Sequence, residues 1–178
     1  MHIKPVIFQE GQGFYDNLAD TFIRHKKGLF ILAPSGAGKT YYCNNQIEKH
    51  WIDGDELWTA AGAHPDGPWW KESIEVMDRI DMRADLVTME AMHEGFWIMG
   101  LASYWLKPDA IVVPDWETLT ANIQKRQSGS GYDGGATSED FAQVKTSIMH
   151  MSRWQESHGV PIYASIDEAA SRLTADVA

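Results

Sequence analysis

Two short stretches hold residue types at spacings from which chemistry can be built. The first is Ala33-Pro34-Ser35-Gly36-Ala37-Gly38-Lys39-Thr40, set directly after the apolar run Leu29-Phe30-Ile31-Leu32. It follows the GxxxxGK[ST] phosphate-loop pattern with Ala33 in place of the first glycine, a change that a strand-to-loop transition accepts. Gly36 and Gly38 let the backbone turn its N–H groups inward around phosphate oxygens, and a helix behind them adds the positive end of its dipole. Lys39, on a loop expected to be solvated, supplies a point charge for the β- and γ-phosphates of a nucleotide. Thr40 supplies a hydroxyl for Mg²⁺. The second stretch is Ile52-Asp53-Gly54-Asp55-Glu56-Leu57, with Asp53 thirteen positions after Thr40. One of its two carboxylates can hold the metal shell while the other accepts the proton of an attacking hydroxyl, with Gly54 allowing close approach. Taken alone, Asp-Gly is also ordinary turn chemistry.

Such residues need a scaffold that brings two strand ends to one edge. Apolar runs of strand length recur at 28–33, 50–52, 96–100, 110–113 and 161–164, each followed by a stretch with helical character. This alternation predicts an α/β fold with a parallel sheet and helices on both faces, in one domain over 1–178. In open sheets of that kind ligands sit at the carboxyl ends of the strands, where both stretches fall. Ile74, Met77, Leu86, Met89 and Met92 predict the buried face of one helix. Leu119, Ile123, Phe141, Val144, Ile148 and Met151 predict those of two more. Residues 14–26 predict an extra helix ahead of the first core strand.

Ser35-Gly36-Ala37-Gly38-Lys39-Thr40 followed by Ile52-Asp53-Gly54-Asp55-Glu56-Leu57 resembles the small-molecule branch of the P-loop kinases, the gluconate and shikimate kinases and their nucleotide-kinase relatives. The resemblance implies a P-loop NTPase fold of the kinase type, three layers with a parallel sheet and a small lid. It implies ATP and Mg²⁺, with residues Ala33 to Thr40 around the phosphates, Thr40 and Asp53 on the metal, and Asp53 and Asp55 as the family's paired carboxylates. The segment 111–127 is similar to the family's fourth strand, the next helix and the basic start of the lid. Arg126 is then the arginine that covers the nucleotide, 127–140 the mobile lid loop with its Gly/Ser-rich tip at 128–135, and a helix from Glu139 closes it. Lys39, Asp53, Asp55 and Arg126 make up the implied catalytic set. Arg126 also reads as a cation favoured by a helix C-terminus; Lys125 carries less. The chain departs from relatives in its third strand, 96–103, which holds no Asp: neither a Walker B carboxylate nor the DGxPR signature is present. Without an NKxD guanine motif, ATP is the expected donor.

The segment 56–94 is where kinases of this build hold their acceptor. Here it carries Trp58, Trp69 and Trp70, with His64, Pro65 and Pro68 in the turn between them. Flat rings can stack on a base or a sugar face, or simply pack. Lys71, Arg79 and Arg83 are cations for an anionic acceptor, or solvated helix charges. Three readings stay open. The favoured one is a kinase for a hydroxyl of a nucleotide-related acceptor. Its specific form is hydroxymethyluracil in phage DNA, because IDGDEL with a nearby Trp-Trp pair resembles the phage hydroxymethyluracil DNA kinases, whose base must leave the stack. The second is a kinase of a small metabolite or a nucleoside monophosphate. The third is a P-loop ATPase or binding module with no acceptor.

Charge restricts these readings. The 178 residues include 15 Lys+Arg and 25 Asp+Glu, a net charge of −10. Eleven acids against three bases between Asp53 and Glu94 place most of that excess on the acceptor side. A long polyanion lying there would be repelled, so DNA would enter near the lid or through one extruded base. Cys43 is the single cysteine, which excludes an intrachain disulfide and favours a reducing compartment. The start lacks the pattern of a signal peptide, and the apolar run 96–106 is too short for a bilayer. A cytoplasmic protein with no membrane partner is expected, in the host cytoplasm if viral.

Overall fold

The computed structural model describes residues 12–65, 67–130, 134–175 and 177. Its centre is a five-stranded, all-parallel sheet in the order β2-β3-β1-β4-β5. The strands are β1 (Leu29–Leu32), β2 (Trp51–Asp53), β3 (Trp97–Gly100), β4 (Ala110–Val112) and β5 (Ile162–Tyr163). All five lie inside or within one residue of the apolar runs that predicted them. Among the described residues seven helices accompany them: α1 (Gln12–Ala19), α2 (Lys39–Asn45), α3 (Gly54–Ala60), α4 (Ile74–His93), α5 (Trp116–Ser128), α6 (Phe141–His158) and α7 (Ile166–Ala175). Single 3₁₀ turns at Trp69–Lys71 and Ser138–Asp140 precede α4 and α6.

Successive strand residues point to opposite faces, and here both faces are covered. Phe30, Leu32, Ile52, Ile98 and Ile111 pack with residues of α1, α3, α4 and α6; Leu29, Ile31, Met99 and Val112 pack with α2 and α7. This two-sided burial explains why the strands read as unbroken apolar runs and not as alternating ones. Each fully buried side chain of this size contributes roughly 1.5–3 kcal/mol. A smaller cluster of Leu119, Ile123 and Val144 joins α5 to α6, and the stripes predicted for these two helices are the ones buried.

Two expectations change. The helix predicted over 14–26 stops at Ala19, because the amides beyond the turn that closes it are spent elsewhere. Phe22 N–H donates back to Leu18 O, while Ile23 and His25 donate across to Lys49 O and Gly95 O. The apolar face predicted for α4 is also rotated. Ile74 and Leu86 are exposed, and the buried stripe is Ile80, Ala84, Asp85, Val87, Thr88 and Ala91. Small and polar residues occupy it because the polar ones are satisfied in place. Thr88 accepts from Trp58 Nε1 and donates to Ala84 O.

Asp85, 1% exposed, accepts from the consecutive amides of Tyr104, Trp105 and Leu106 at 2.9, 2.7 and 2.9 Å. Arg153 of α6 donates to Ser103 O and Tyr104 O, so the segment after β3 is held from two helices. Charge-assisted bonds of this kind are about twice as strong as neutral ones, and losing the carboxylate leaves three amides unpaired. Asp85→Ala is therefore expected to lower the unfolding free energy by roughly 3 kcal/mol; a loss below about 1 kcal/mol in urea titration would contradict this role.

Candidate active site

The register of the sheet sets the site. Leu29 pairs with Trp97 and Leu32 with Gly100 between β1 and β3, while Asp53 of β2 pairs with Met99. The ends of β1 and β2 therefore reach the same edge, separated by one strand. Ala33 extends β1 by donating to Gly100 O at 2.9 Å, and the chain then turns through Pro34 to Gly38 into α2. Gly36 and Gly38 have φ of 86° and 97°, the left-handed region where a side chain is strained. Gly36 is also pressed against α5: a Cβ there would lie 2.8 Å from Ile123 Cγ1 and 2.9 Å from Leu119 O. Asn122, a contact that nothing in the motif announces, donates to Gly36 O at 2.9 Å.

Lys39 is not at a solvated position. It is 6% exposed and donates to Ala33 O at 2.9 Å and to Pro34 O at 3.2 Å, closing the loop on itself. Thr40 Oγ1 donates to Asp53 Oδ2 at 2.7 Å, and Asp53 Oδ1 accepts from Asp55 N–H at 3.1 Å, capping α3. The two carboxylates thus separate. Asp53 is 4% exposed and turned to Thr40, whereas Asp55 is exposed and lines the cleft in front of the loop. Burial first, and the charge of Asp55 second, push the Asp53 carboxyl up to about 6 against the opposing pull of Lys39 and Thr40. Gly54 between them has no room for a side chain, since a Cβ would lie 2.8 Å from Met99 O.

Arg126, near the end of α5, donates from Nη2 to Ser35 Oγ at 3.2 Å and to Ala136 O at 2.9 Å. It therefore bridges the phosphate-loop sequence and the chain at 134–136. Of the loop expected over 127–140, residues 127 and 128 end α5, and Thr137 with Asp140 forms a capping box around the 3₁₀ turn. The helix expected from Glu139 begins at Phe141. Residues 131–133, at the expected lid tip, lie outside the described residues.

One cleft of about 1440 Å³ runs from this loop to the turn before α4. Lys39, Lys125 and Arg126 border it at the loop end; Asp55, Glu56, Asp78 and Asp81 border it as well. The three tryptophans separate in role. Trp58 is fully buried and bonded to Thr88, so its ring cannot stack on a ligand. Trp69 and Trp70 line the cleft, their centroids 6.2 Å apart and their planes nearly perpendicular. Lys71, Arg79 and Arg83 are exposed and do not border the cleft; Arg83 donates to Gly62 O. They are thus not placed to meet an anionic acceptor inside it.

Asp81, which no motif marks, joins His64 of the proline turn on the cleft lining. Asp81 shares the polar-interrupted stripe of α4 with Asp85, and an i, i+4 pair of acids beside Ala84 and Thr88 was the available signal. His64 is packed against Trp58 and edge-on to Trp69, with centroids 5.0 and 4.7 Å away. Burial, then the positive charge of Arg83, lowers its pKa to about 4. Burial, then Asp85 and Asp78, push Asp81 up to about 7 against the pull of Arg153.

No family model matches the chain, and no curated protein matches it. No helix among the described residues is long and apolar enough to cross a membrane. The chain is an α/β fold in which the glycine loop, Asp53, Asp55 and Arg126 meet at the carboxyl edge of a parallel sheet.

A raised carboxyl pKa means that ionisation opposes folding: the stability is complete below the ordinary carboxylate range and is lost as pH rises through about 7. Asp81→Asn, which cannot ionise, should equal the wild type near pH 4 and exceed it by roughly 4 kcal/mol at pH 8. Thermal melts at both values check this; a gap that fails to widen with pH would contradict it.

Proposed function

We propose that this chain is a P-loop kinase that moves the γ-phosphoryl group of ATP, with Mg²⁺, onto a hydroxyl of a nucleotide-related acceptor. The observation that carries the reading is the meeting of Lys39, Thr40, Asp53 and Asp55 at one sheet edge, with Thr40 Oγ1 2.7 Å from Asp53 Oδ2 and Asp55 facing the cleft. The fold it invokes is the kinase-type P-loop NTPase, three-layered with a small lid.

The residues fit the roles. The loop N–H groups from Ser35 to Lys39 and the ammonium of Lys39 would stabilise the charge that spreads over a transferring phosphoryl group. A polyphosphate would exchange with the carbonyls of Ala33 and Pro34 for that ammonium. Thr40 and Asp53 provide a hydroxyl and a carboxylate side by side. Among the described residues no group of three or more His, Cys, Asp or Glu is placed to hold a metal, so Mg²⁺ there would draw its other ligands from phosphate and water. The bound metal would neutralise phosphate charge. Asp55, one residue further and exposed, is positioned to orient an acceptor hydroxyl and take its proton. Arg126 joins the loop to residues 134–136 and would cover the donor. The specific acceptor we favour is the hydroxymethyl group of hydroxymethyluracil in phage DNA, supported by Trp69 and Trp70 on the cleft lining.

The test supplies labelled ATP and Mg²⁺ with hydroxymethylated DNA, nucleoside monophosphates and gluconate-like polyols in parallel. Label in an acceptor is expected; label only in free phosphate would replace the kinase with an ATPase. Lys39→Ala should lower transfer by about 10²–10³-fold, with the fold checked separately because this side chain is buried. Asp55→Asn should lower it by about 10²–10⁴-fold. A normal rate in the Asp55 variant removes it as the base, and full activity in the Lys39 variant overturns the site.

A further inference from the structure

At the amino edge of the sheet, opposite the candidate active site, two histidines face each other: His25, ahead of β1, and His50, directly before β2. His25 Nε2 lies 3.3 Å from His50 Nδ1, and His50 Nε2 lies 3.2 Å from Glu48 Oε2. Hydrogen bonds from nitrogen to oxygen usually span about 2.7–3.2 Å, so the imidazole pair is loose by that standard. Two nitrogens each about 2.0–2.1 Å from a tetrahedral metal are about 3.3–3.4 Å apart, which is the separation found here. We propose that His25 and His50 form a two-imidazole chelate for a divalent first-row transition ion of the Zn²⁺ class, with Glu48 behind His50 and water completing the coordination.

The surroundings suit that role. A carboxylate only accepts, so in the neutral ring His50 Nε2 carries the hydrogen and Nδ1 keeps its lone pair toward His25. Metal-bound histidines almost always give their second N–H to such a partner, which fixes the tautomer and makes the ligating nitrogen more basic. For His25 Nε2 to ligate, the hydrogen of that ring sits on Nδ1; the change is between two tautomers of one neutral ring, and no proton leaves the pair. Burial, then the charge of His50, holds the His25 imidazole below its ordinary pKa, in the neutral form that a metal requires. Both rings are positioned by the fold itself. His25 stacks on Trp97 with centroids 3.5 Å apart and planes 9° from parallel, and Trp97 Nε1 donates to Lys27 O at 2.9 Å. Ile23 N–H donates to Lys49 O at 2.9 Å and His25 N–H to Gly95 O at 2.8 Å, which fixes the backbone beside both histidines. The side chains of His50 and Glu48 are 35% and 72% exposed, so an ion and its waters can reach the pair. Among the described residues no group of three or more His, Cys, Asp or Glu is placed to hold a metal, which leaves the remaining positions to water. Imidazole nitrogens suit Zn²⁺, Ni²⁺ and Cu²⁺, whereas Mg²⁺ keeps to oxygen ligands. The site is therefore separate from the Mg²⁺ of the proposed phosphoryl transfer and does not rest on that reading.

The experiment is calorimetric titration of the full chain, without added histidines, with Zn²⁺, together with electron paramagnetic resonance of the chain loaded with one equivalent of Cu²⁺. Saturable Zn²⁺ binding is expected, and the Cu²⁺ signal should show coupling to two imidazole nitrogens. His25→Gln and His50→Gln should each weaken Zn²⁺ binding by more than about tenfold, and Glu48→Ala by about tenfold. Zn²⁺ should raise the melting temperature of the wild type, because the site exists only where the fold brings 25 and 50 together, and should raise that of the histidine variants less. Mg²⁺ in about hundredfold excess should not displace it. His25→Gln removes a stacked ring; if that variant does not fold, His50→Gln and the Cu²⁺ spectrum of the wild type decide. Absence of saturable Zn²⁺ binding, a Cu²⁺ spectrum without two coupled nitrogens, displacement by Mg²⁺, or an affinity indifferent to His50→Gln would overturn the site and leave the pair as a hydrogen bond alone.

Discussion

The carboxyl group of Asp53 ties the architecture together. One oxygen receives the Thr40 hydroxyl and the other the Asp55 amide, so a single buried group joins the start of α2, the end of β2 and the first turn of α3. The link is possible only because the parallel register brings β1 and β2 to a common edge with β3 between them. A slip of one residue in β2 would send Asp53 to the opposite face and break the connection. The cost of placing a carboxylate here is visible in its raised pKa, which burial dominates. Structures keep such strained charges where something else makes use of them.

The cleft is electrically divided. Its glycine-loop end holds the lysines and the arginine, and its other groups include a series of acids, exposed or half-buried. The division follows from the sequence, in which the excess of acids is concentrated between Asp53 and Glu94. A field of this shape favours a strongly anionic ligand at the loop and disfavours a second anion beyond it. It also makes solvent exclusion more consequential, because the same charges act more strongly once water leaves.

Legibility differed by kind of feature. Strands were readable because a sheet covered on both faces demands unbroken apolar runs, and Leu29 to Leu32 or Trp97 to Gly100 contain little else. The glycine loop was readable because Gly36 and Gly38 must adopt left-handed backbone. The buried face of α4 was not, since Asp85 and Thr88 sit on it as satisfied polar groups and the methionines lie at its margins. Asp85 is explained only by three amides some twenty residues away, a partnership with no local signature. The tryptophans illustrate the same limit: Trp58 and Trp69 look alike in sequence, yet one is sealed by Thr88 and the other borders the cleft. The burial of Lys39 has no local signature either, because it depends on the carbonyls of Ala33 and Pro34 that the folded loop turns toward its ammonium.

Helix α5 touches the glycine loop twice. Asn122 holds the carbonyl of Gly36, and one turn later Arg126 reaches Ser35 with the same nitrogen that reaches Ala136. With Ile123 packed where any side chain on Gly36 would have to go, the loop cannot shift without displacing the helix. The loop, α5 and the backbone at 136 therefore behave as one mechanical linkage, with the guanidinium as its joint. A single side chain thus ties Ser35 to a point ten residues further along the chain than Arg126. One guanidinium nitrogen fixes the spacing between Ser35 and the backbone at 136.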